Sequence, residues 1–209
     1  SVDPVSTDEA AKYEATSRAV FEQVREFAPG VIVAVRGPGG TWEQAFGDAD
    51  LAAREPATTD MHQRIASITK TFVGTLVLQL AAEGKLALDD PIDNYVPHVP
   101  NGTRISLRQL ITMSSGIPNY SDDESWGLRF LGDPGAPWTA DDLLSYTWHM
   151  PASFPPGTNM EYSNSNFVLL GLTIEQVEGK PLQQVLEERI LEPLELASTS
   201  YPTDTAMPA

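Results

Sequence analysis

Cysteine is missing altogether from the 209 residues, so disulfide bonds and thiolate chemistry are both excluded. That absence fits a secreted or periplasmic protein as well as a cytosolic one and leaves the compartment open. Positive charge is scarce. Thirteen Lys and Arg stand against 29 Asp and Glu, giving a formal net charge of −16. A surface of that sign repels nucleic-acid phosphates and anionic lipid headgroups, and both are set aside as partners. No run approaches the ~20 apolar residues that cross a bilayer, so no membrane span is expected. Histidine occurs only at His62, His98 and His149, without ligand spacing. No metal and no other cofactor is implied.

What is present is an ordinary globular composition, 41% hydrophobic and 20% charged, in a length suited to one large domain or two modest ones. The opening SVDPVSTDEA is polar and lacks the charged-then-apolar pattern of a signal peptide. It is compatible with the mature start of a protein whose export signal has been removed, and a secreted or periplasmic location is the expectation.

Periodicity divides the chain. Residues 8–27 read as an amphipathic helix with Tyr13, Ala19, Val20, Val24 and Phe27 on one stripe, stopped by Pro29-Gly30. VIVAVRG (31–37) and TWEQAFG (41–47) read as two strands around Gly37-Pro38-Gly39-Gly40, a hairpin with a helix packed on one face. From Ile68 to Gly84, Phe72, Val73, Leu76, Val77, Leu80 and Ala81 recur at helical spacing with almost no charge, which predicts a buried helix. ISLRQLITM (105–113) is a short helix capped by Ser106. Residues 115–140, rich in Gly and Pro, read as a long irregular connection. TADDLLSYTWHM (139–150), capped by Thr139, FVLLGLTIEQVEG (167–179) and PLQQVLEERILEPL (181–194) are further helices, and the tail from Ala197 shows no periodic pattern. An isolated two-stranded hairpin is marginal in water, so the sheet reads as incomplete.

Two short motifs carry chemistry. RIASITKTF (64–72) places Ser67 and Lys70 three residues apart at the start of the apolar helix, hence on one face. A serine hydroxyl is a weak nucleophile that needs a base beside it. A lysine rendered neutral by burial or by a neighbouring cation can serve. Ser-x-x-Lys alone equally describes two ordinary helix residues. EYSNSNF (161–167) sets Tyr162 and Asn164 two apart in a turn. A phenol beside an ammonium can titrate low and shuttle protons, and an asparagine amide offers both a donor and an acceptor. Alone, this motif too describes a turn that buries a tyrosine.

Together, and in this order, the motifs resemble the serine hydrolase family of class C β-lactamases, D-alanyl-D-alanine carboxypeptidases and related esterases. The resemblance also takes in LQLAAEGKLALDDPIDNYVP, ISLRQLITMSSGIPNY and PPGTNMEYSNSNFVLLGLTIEQVEGKPLQQVLEERILEPLEL. It implies a β-lactamase/transpeptidase-like fold, α/β plus all-α, of which this chain resembles only the N-terminal part. Residues 1–60 would be the helix and hairpin of an α/β region. Residues 61–180 would be a helical region carrying the motifs, and 181–209 a return helix and tail toward the α/β region, with the site between the regions. Ser67 would be the acylated nucleophile and Lys70 would take its proton. Tyr162 would protonate the leaving group and activate water, and Asn164 would bind Lys70 and the substrate amide. Whether Lys70 or Tyr162 is the base stays open, because coupled groups titrate as a unit. The Ser67 N–H would give half of an oxyanion hole, and Trp126 would form a wall for a small-molecule or peptide substrate.

The chain departs from the pattern at Met113-Ser114-Ser115-Gly116, where the family often shows His-Thr-Ser-Gly. That change is expected to alter local support more than chemistry. A third motif, Lys or His followed by Thr/Ser and Gly on a downstream strand, has no counterpart after Leu196. A complementary C-terminal polypeptide carrying it is therefore an expected partner, with a fragment or a reduced relative as alternatives. The expected activity is that of a D-alanyl-D-alanine carboxypeptidase-like peptidase. An esterase, a class C-like β-lactamase and a non-catalytic ligand-binding relative are its rivals.

Overall fold

A computed structural model describes residues 3–205, which fall into two units divided after Gln63. The first begins with α1 (Thr7–Val24), entered through a capping box in which Ser6 and Glu9 satisfy each other's backbone N–H groups. The helix does not bury the expected stripe. Phe27 is 89% exposed and lies beyond the helix, Val20 and Val24 are also exposed, and the buried residue is Phe21, which that stripe omitted. Its ring stacks on Phe46 at 6.0 Å between centroids, and Tyr13 leans on Trp42 at 5.7 Å.

Both aromatic partners belong to the antiparallel hairpin of β1 (Gly30–Gly37) and β2 (Gly40–Asp50), in register from Val31 opposite Phe46 to Val35 opposite Trp42. Pro38 and Gly39 form the predicted tight turn. A third strand, β3 (Glu55–Pro56), was not anticipated from sequence. It is two residues long and pairs with the end of β2, where a proline is tolerated as an edge residue. Gly47, at φ +78°, permits the close approach of helix and sheet: a Cβ there would collide with the Pro29 carbonyl and the Phe21 ring.

The second unit is helical. A 3-10 turn (Ala66–Ile68) leads into α2 (Thr69–Ala82), whose Val73, Leu76, Val77 and Leu80 are buried. They meet Leu169, Leu170 and Ile174 of α6 (Asn164–Glu178) in one apolar core. Between these helices in sequence lie α3 (Leu107–Ile111), α4 (Glu124–Gly132) and α5 (Ala140–Trp148). The predicted caps are present: Ser106 pairs with Gln109 and Thr139 with Asp142. Helix α6 ends at Gly179 in the left-handed conformation, and α7 (Leu182–Leu186) widens into a π turn (Glu187–Leu191). Val185, Leu186, Ile190 and Leu191 fill the same core. Each fully buried leucine of this kind stabilises the fold by about 1.5–3 kcal/mol. At the far end, Arg189 joins the ends of α2 and α6 by pairing with Glu83 at 2.7 Å and Glu178 at 2.9 Å.

The connection over 115–140 is not irregular throughout. It contains a 3-10 turn at Tyr120–Asp122 and then α4. Gly127 and Gly132 read as breakers in the sequence, but the Asp123 side chain caps the helix on the N–H groups of Ser125 and Trp126. Trp126 also stacks on Phe130 one turn later, with centroids 5.2 Å apart and planes 7° from parallel. A local cap and an aromatic pair outweigh the glycine penalty of about 1 kcal/mol.

Candidate active site

Ser67 sits on the 3-10 turn ahead of α2, and the residue before it, Ala66, adopts φ +44°. That is a strained conformation for a residue with a Cβ, of the kind that clusters where a fold holds a side chain in one place. Lys70 occupies the first turn of α2. Its Nζ donates to Ser67 Oγ at 3.1 Å, so the three-residue spacing does put both groups on one face. Ser67 is exposed and Lys70 half-buried.

Tyr162 and Asn164 arrive from the other side, at the start of α6. The sequence placed both in a turn and began the helix at Phe167. The structure begins it three residues earlier, so Asn164 is its first residue. Tyr162 Oη lies 2.7 Å from Ser67 Oγ and donates to Asn164 Oδ1 at 3.0 Å. Asn164 Oδ1 also accepts from Lys70 Nζ at 2.6 Å. One proton arrangement satisfies all four contacts. Lys70 donates to Ser67 and Asn164, Tyr162 donates to Asn164, and the Ser67 hydroxyl is left to donate to Tyr162. The serine proton is thereby directed at the phenol oxygen.

Electrostatics bear on that phenol. Burial pushes the Tyr162 phenol up, but its interactions with Lys70 and Ser67 outweigh the effect and hold it below the ordinary tyrosine value. Lys70 Nζ lies 4.9 Å from the centroid of the Tyr162 ring and 5.8 Å from that of Phe167, which adds cation–π contact. Tyr120 behaves oppositely. Burial, and the proximity of Tyr162, raise its phenol.

Trp126, the expected wall, touches none of the four groups by hydrogen bond or ring contact among the described residues. Its ring meets the edge of Tyr120 at 5.5 Å and belongs to a cluster with Phe130 and Trp138. It stands behind Tyr120, and its indole N–H is buried without a hydrogen-bond partner among the described residues. The SSG stretch that departs from the family pattern contacts α6. Ser115 Oγ donates to Asn166 Oδ1 at 2.7 Å, and Asn166 Nδ2 donates to Met113 Sδ at 3.4 Å.

Sequence reasoning missed the segment that supports the site. Ser163 and Ser165 both donate to the Pro118 carbonyl, at 3.1 and 2.8 Å, and the Tyr120 N–H donates to Ser165 Oγ at 3.0 Å. Asn119 Oδ1 accepts the Asn164 N–H at 3.0 Å. All four residues of Ser163-Asn164-Ser165-Asn166 therefore bond to residues 115–121. The available signal was composition: three further polar side chains stand at the mouth of a long apolar helix, and buried polar groups need partners.

The chain is similar to known proteins. The family model Beta-lactamase matches residues 18–209. The chain is 32% identical over 166 residues to Protein flp of Staphylococcus aureus strain MW2, covering 76% of this chain and 32% of that protein. Among solved structures it resembles a D-stereospecific amidohydrolase from Streptomyces sp. (TM-score 0.77, 34% identity, 88% of this chain and 55% of that one). It also resembles a penicillin binding protein from Bacillus halodurans (TM-score 0.75, 27% identity, 92% and 57%). The chain thus spans about a third of that curated relative and somewhat over half of these solved ones, matching part of a β-lactamase/transpeptidase-like fold. With most of its length, residues 18–209, inside the family model, this chain belongs to the Beta-lactamase family.

Proposed function

We propose that the chain carries the acylating centre of a serine hydrolase whose preferred substrate is an amide bond next to a D-amino acid, as in a D-alanyl-D-alanine-terminated peptide. The observation that carries this is the placement of Ser67 Oγ within 2.7 Å of the Tyr162 phenol and 3.1 Å of Lys70 Nζ. The Tyr162–Lys70 unit reacts in the form that has lost one proton from the arrangement above, which leaves the Tyr162 oxygen bare. Ser67 Oγ attacks the substrate carbonyl carbon and its proton passes to that oxygen, the nearer acceptor of two groups that act as one base. The tetrahedral oxyanion is met by the Ser67 N–H. Tyr162 returns the proton to the departing amine nitrogen, leaving an ester on Ser67. Water then loses a proton to the same unit, attacks the ester, and releases the acid and a free serine hydroxyl.

The similar amidohydrolase, described as D-stereospecific, supports the choice of substrate class. We include in the reading a further polypeptide segment that supplies the second oxyanion donor, since the chain covers 55% of that relative. Secretion or export to the periplasm belongs to the same proposal.

The test is turnover by the complete native protein of four substrates side by side: a D-alanyl-D-alanine peptide, its L,L counterpart, a p-nitrophenyl ester and a penicillin. The reading predicts hydrolysis of the D,D peptide over the L,L one, and loss of all turnover in a folded Ser67→Ala variant. Preference for the ester or the penicillin would move the assignment to an esterase or a β-lactamase. Tight binding without turnover would favour a ligand-binding relative.

A further inference from the structure

Asn164 is the point on which Lys70 and Tyr162 both converge, and its own position is set from outside α6. The first N–H groups of a helix have no partner within it. The usual remedy, a side-chain cap from the preceding residue, is absent, and Ser163 donates its hydroxyl to the Pro118 carbonyl. The Asn164 N–H is taken by the Oδ1 of Asn119, 45 residues earlier in sequence, at 3.0 Å. Asn119 is 7% exposed, so this bond is sheltered from water.

An amide can face either way, and here its orientation is enforced. Asn119 Nδ2 donates to Asp122 Oδ1 at 2.9 Å. An ionised carboxylate only accepts, so it requires the amino end of Asn119 and leaves the oxygen end for Asn164. At the next step, Asn164 Oδ1 is used by Lys70 and Tyr162, and its Nδ2 donates to Ser121 Oγ at 3.3 Å. The 3-10 turn of Tyr120–Asp122, with Asn119 as its N-terminal flank, thus holds both the backbone and the side chain of Asn164.

We propose that Asn119, oriented by Asp122 and assisted by Ser121, is a positioning residue that fixes Asn164 so that Lys70 and Tyr162 are presented to Ser67. The proposal rests on the reading of Ser67 as the nucleophile. Asn119 reaches no reacting atom and acts through Asn164. A displacement of Asn164 of the order of 1 Å is enough to cost about 100-fold in the rate of a positioned reaction.

The chemistry supplies its own rescue. Asn119→Asp keeps an oxygen for the Asn164 N–H but sets a carboxylate against Asp122. Adding Asp122→Asn restores an amide donor opposite a carboxylate acceptor, with the two side chains exchanged and the net charge unchanged. The experiment measures the rate at which a fluorophosphonate modifies Ser67, which displaces fluoride to form a phosphonate ester and stands in for acylation, in the complete native protein, alongside hydrogen exchange of the Asn164 backbone amide. In Asn119→Asp, acylation is expected to fall by about 100-fold with KM for the hydrolysed substrate little changed, and the Asn164 amide to exchange faster. In the Asn119→Asp/Asp122→Asn double variant both should return to within a few-fold of the parent protein. Acylation unaltered in a folded Asn119→Asp variant, or a double variant no better than the single one, overturns the proposal while leaving Ser67 as nucleophile intact. If the parent protein itself fails to acylate, the reading of Ser67 fails. The exchange measurement still decides then whether Asn119 holds Asn164, and an unchanged rate would refute it.

Discussion

Helix α6 is two regions in one element, and they follow different rules. Its middle, with Leu169, Leu170 and Ile174, is packed against α2 by apolar contact alone. Its first turn and the residue before it, Ser163 to Asn166, are buried or half-buried, yet each of the four is tied by a directed hydrogen bond to residues 115–121. Apolar burial is non-directional and tolerates repacking, so the middle supplies stability. A polar seam tolerates little, because each lost partner strands a group in low dielectric, so the first turn supplies position. The candidate site is built on the second region and anchored by the first.

Cutting the apolar half should produce the larger loss of stability and the smaller loss of chemistry. Leu170→Ala is expected to destabilise the fold by about 2–5 kcal/mol in urea unfolding. Acylation of Ser67 per folded molecule should stay within about twofold of the parent, the span left to a side chain that touches no group of the site. A tenfold drop in that folded fraction would show that the two regions are not separable.

Cutting the polar half reverses the balance. Ser165 Oγ serves the Pro118 carbonyl, the Tyr120 N–H and Thr147 Oγ1. Ser165→Ala should cost about 1–3 kcal/mol, less than the leucine truncation. It should slow Ser67 acylation roughly tenfold by freeing the turn that holds Asn164. An acylation rate equal to the parent's would assign Ser165 to stability alone.

The smallest effect is expected at the edge of the seam, where His149 Nε2 meets Asp123 Oδ2 at 2.8 Å and Asp123 caps α4. The hydrogen bond that the His149 ring donates to Asp123 raises His149 above the ordinary histidine value. Bonds from Ser125 and His149 hold Asp123 down to about 2. The raised histidine stabilises fully below its unfolded value of about 6.5 and loses that contribution as pH climbs through the folded value. The depressed carboxylate stabilises above its unfolded value of about 3.9 and loses that as pH falls toward 2. Anchorage of α4 should therefore be greatest between these limits. Nuclear magnetic resonance titration of His149 should show an apparent pKa above that of a model histidine, and His149→Gln should remove the high-pH decline of the α4 signals. A His149 that titrates at or below the model value would contradict the pairing.

The same contrast explains what could be read from the sequence. Leu76, Leu80, Leu169 and Ile174 announce themselves by period, and the caps at Ser106 and Thr139 by residue type at the head of a helix; their partners Gln109 and Asp142 come from the structure. Two short motifs name Ser67, Lys70, Tyr162 and Asn164, and the structure links the four in a ring of hydrogen bonds, each to two of the others. The partners Asn119 and Ser121 were not named, because their bonds span 43 to 45 residues and leave no periodic trace. Helix α4 was missed because its glycines obscured a cap at Asp123 that only a three-dimensional view reveals. Phe21 is missing from the expected stripe because that stripe runs on to Phe27, past the end of the helix at Val24.

The most direct test is peptide mapping by mass spectrometry after the complete native protein is exposed to a fluorophosphonate and, separately, to a labelled penicillin. The account predicts covalent mass from at least one probe on the peptide containing Ser67, absent when Ser67 is replaced by alanine and strongly reduced when Tyr162 is replaced by phenylalanine. An adduct on a different serine, or none from either probe in a folded protein, would contradict it.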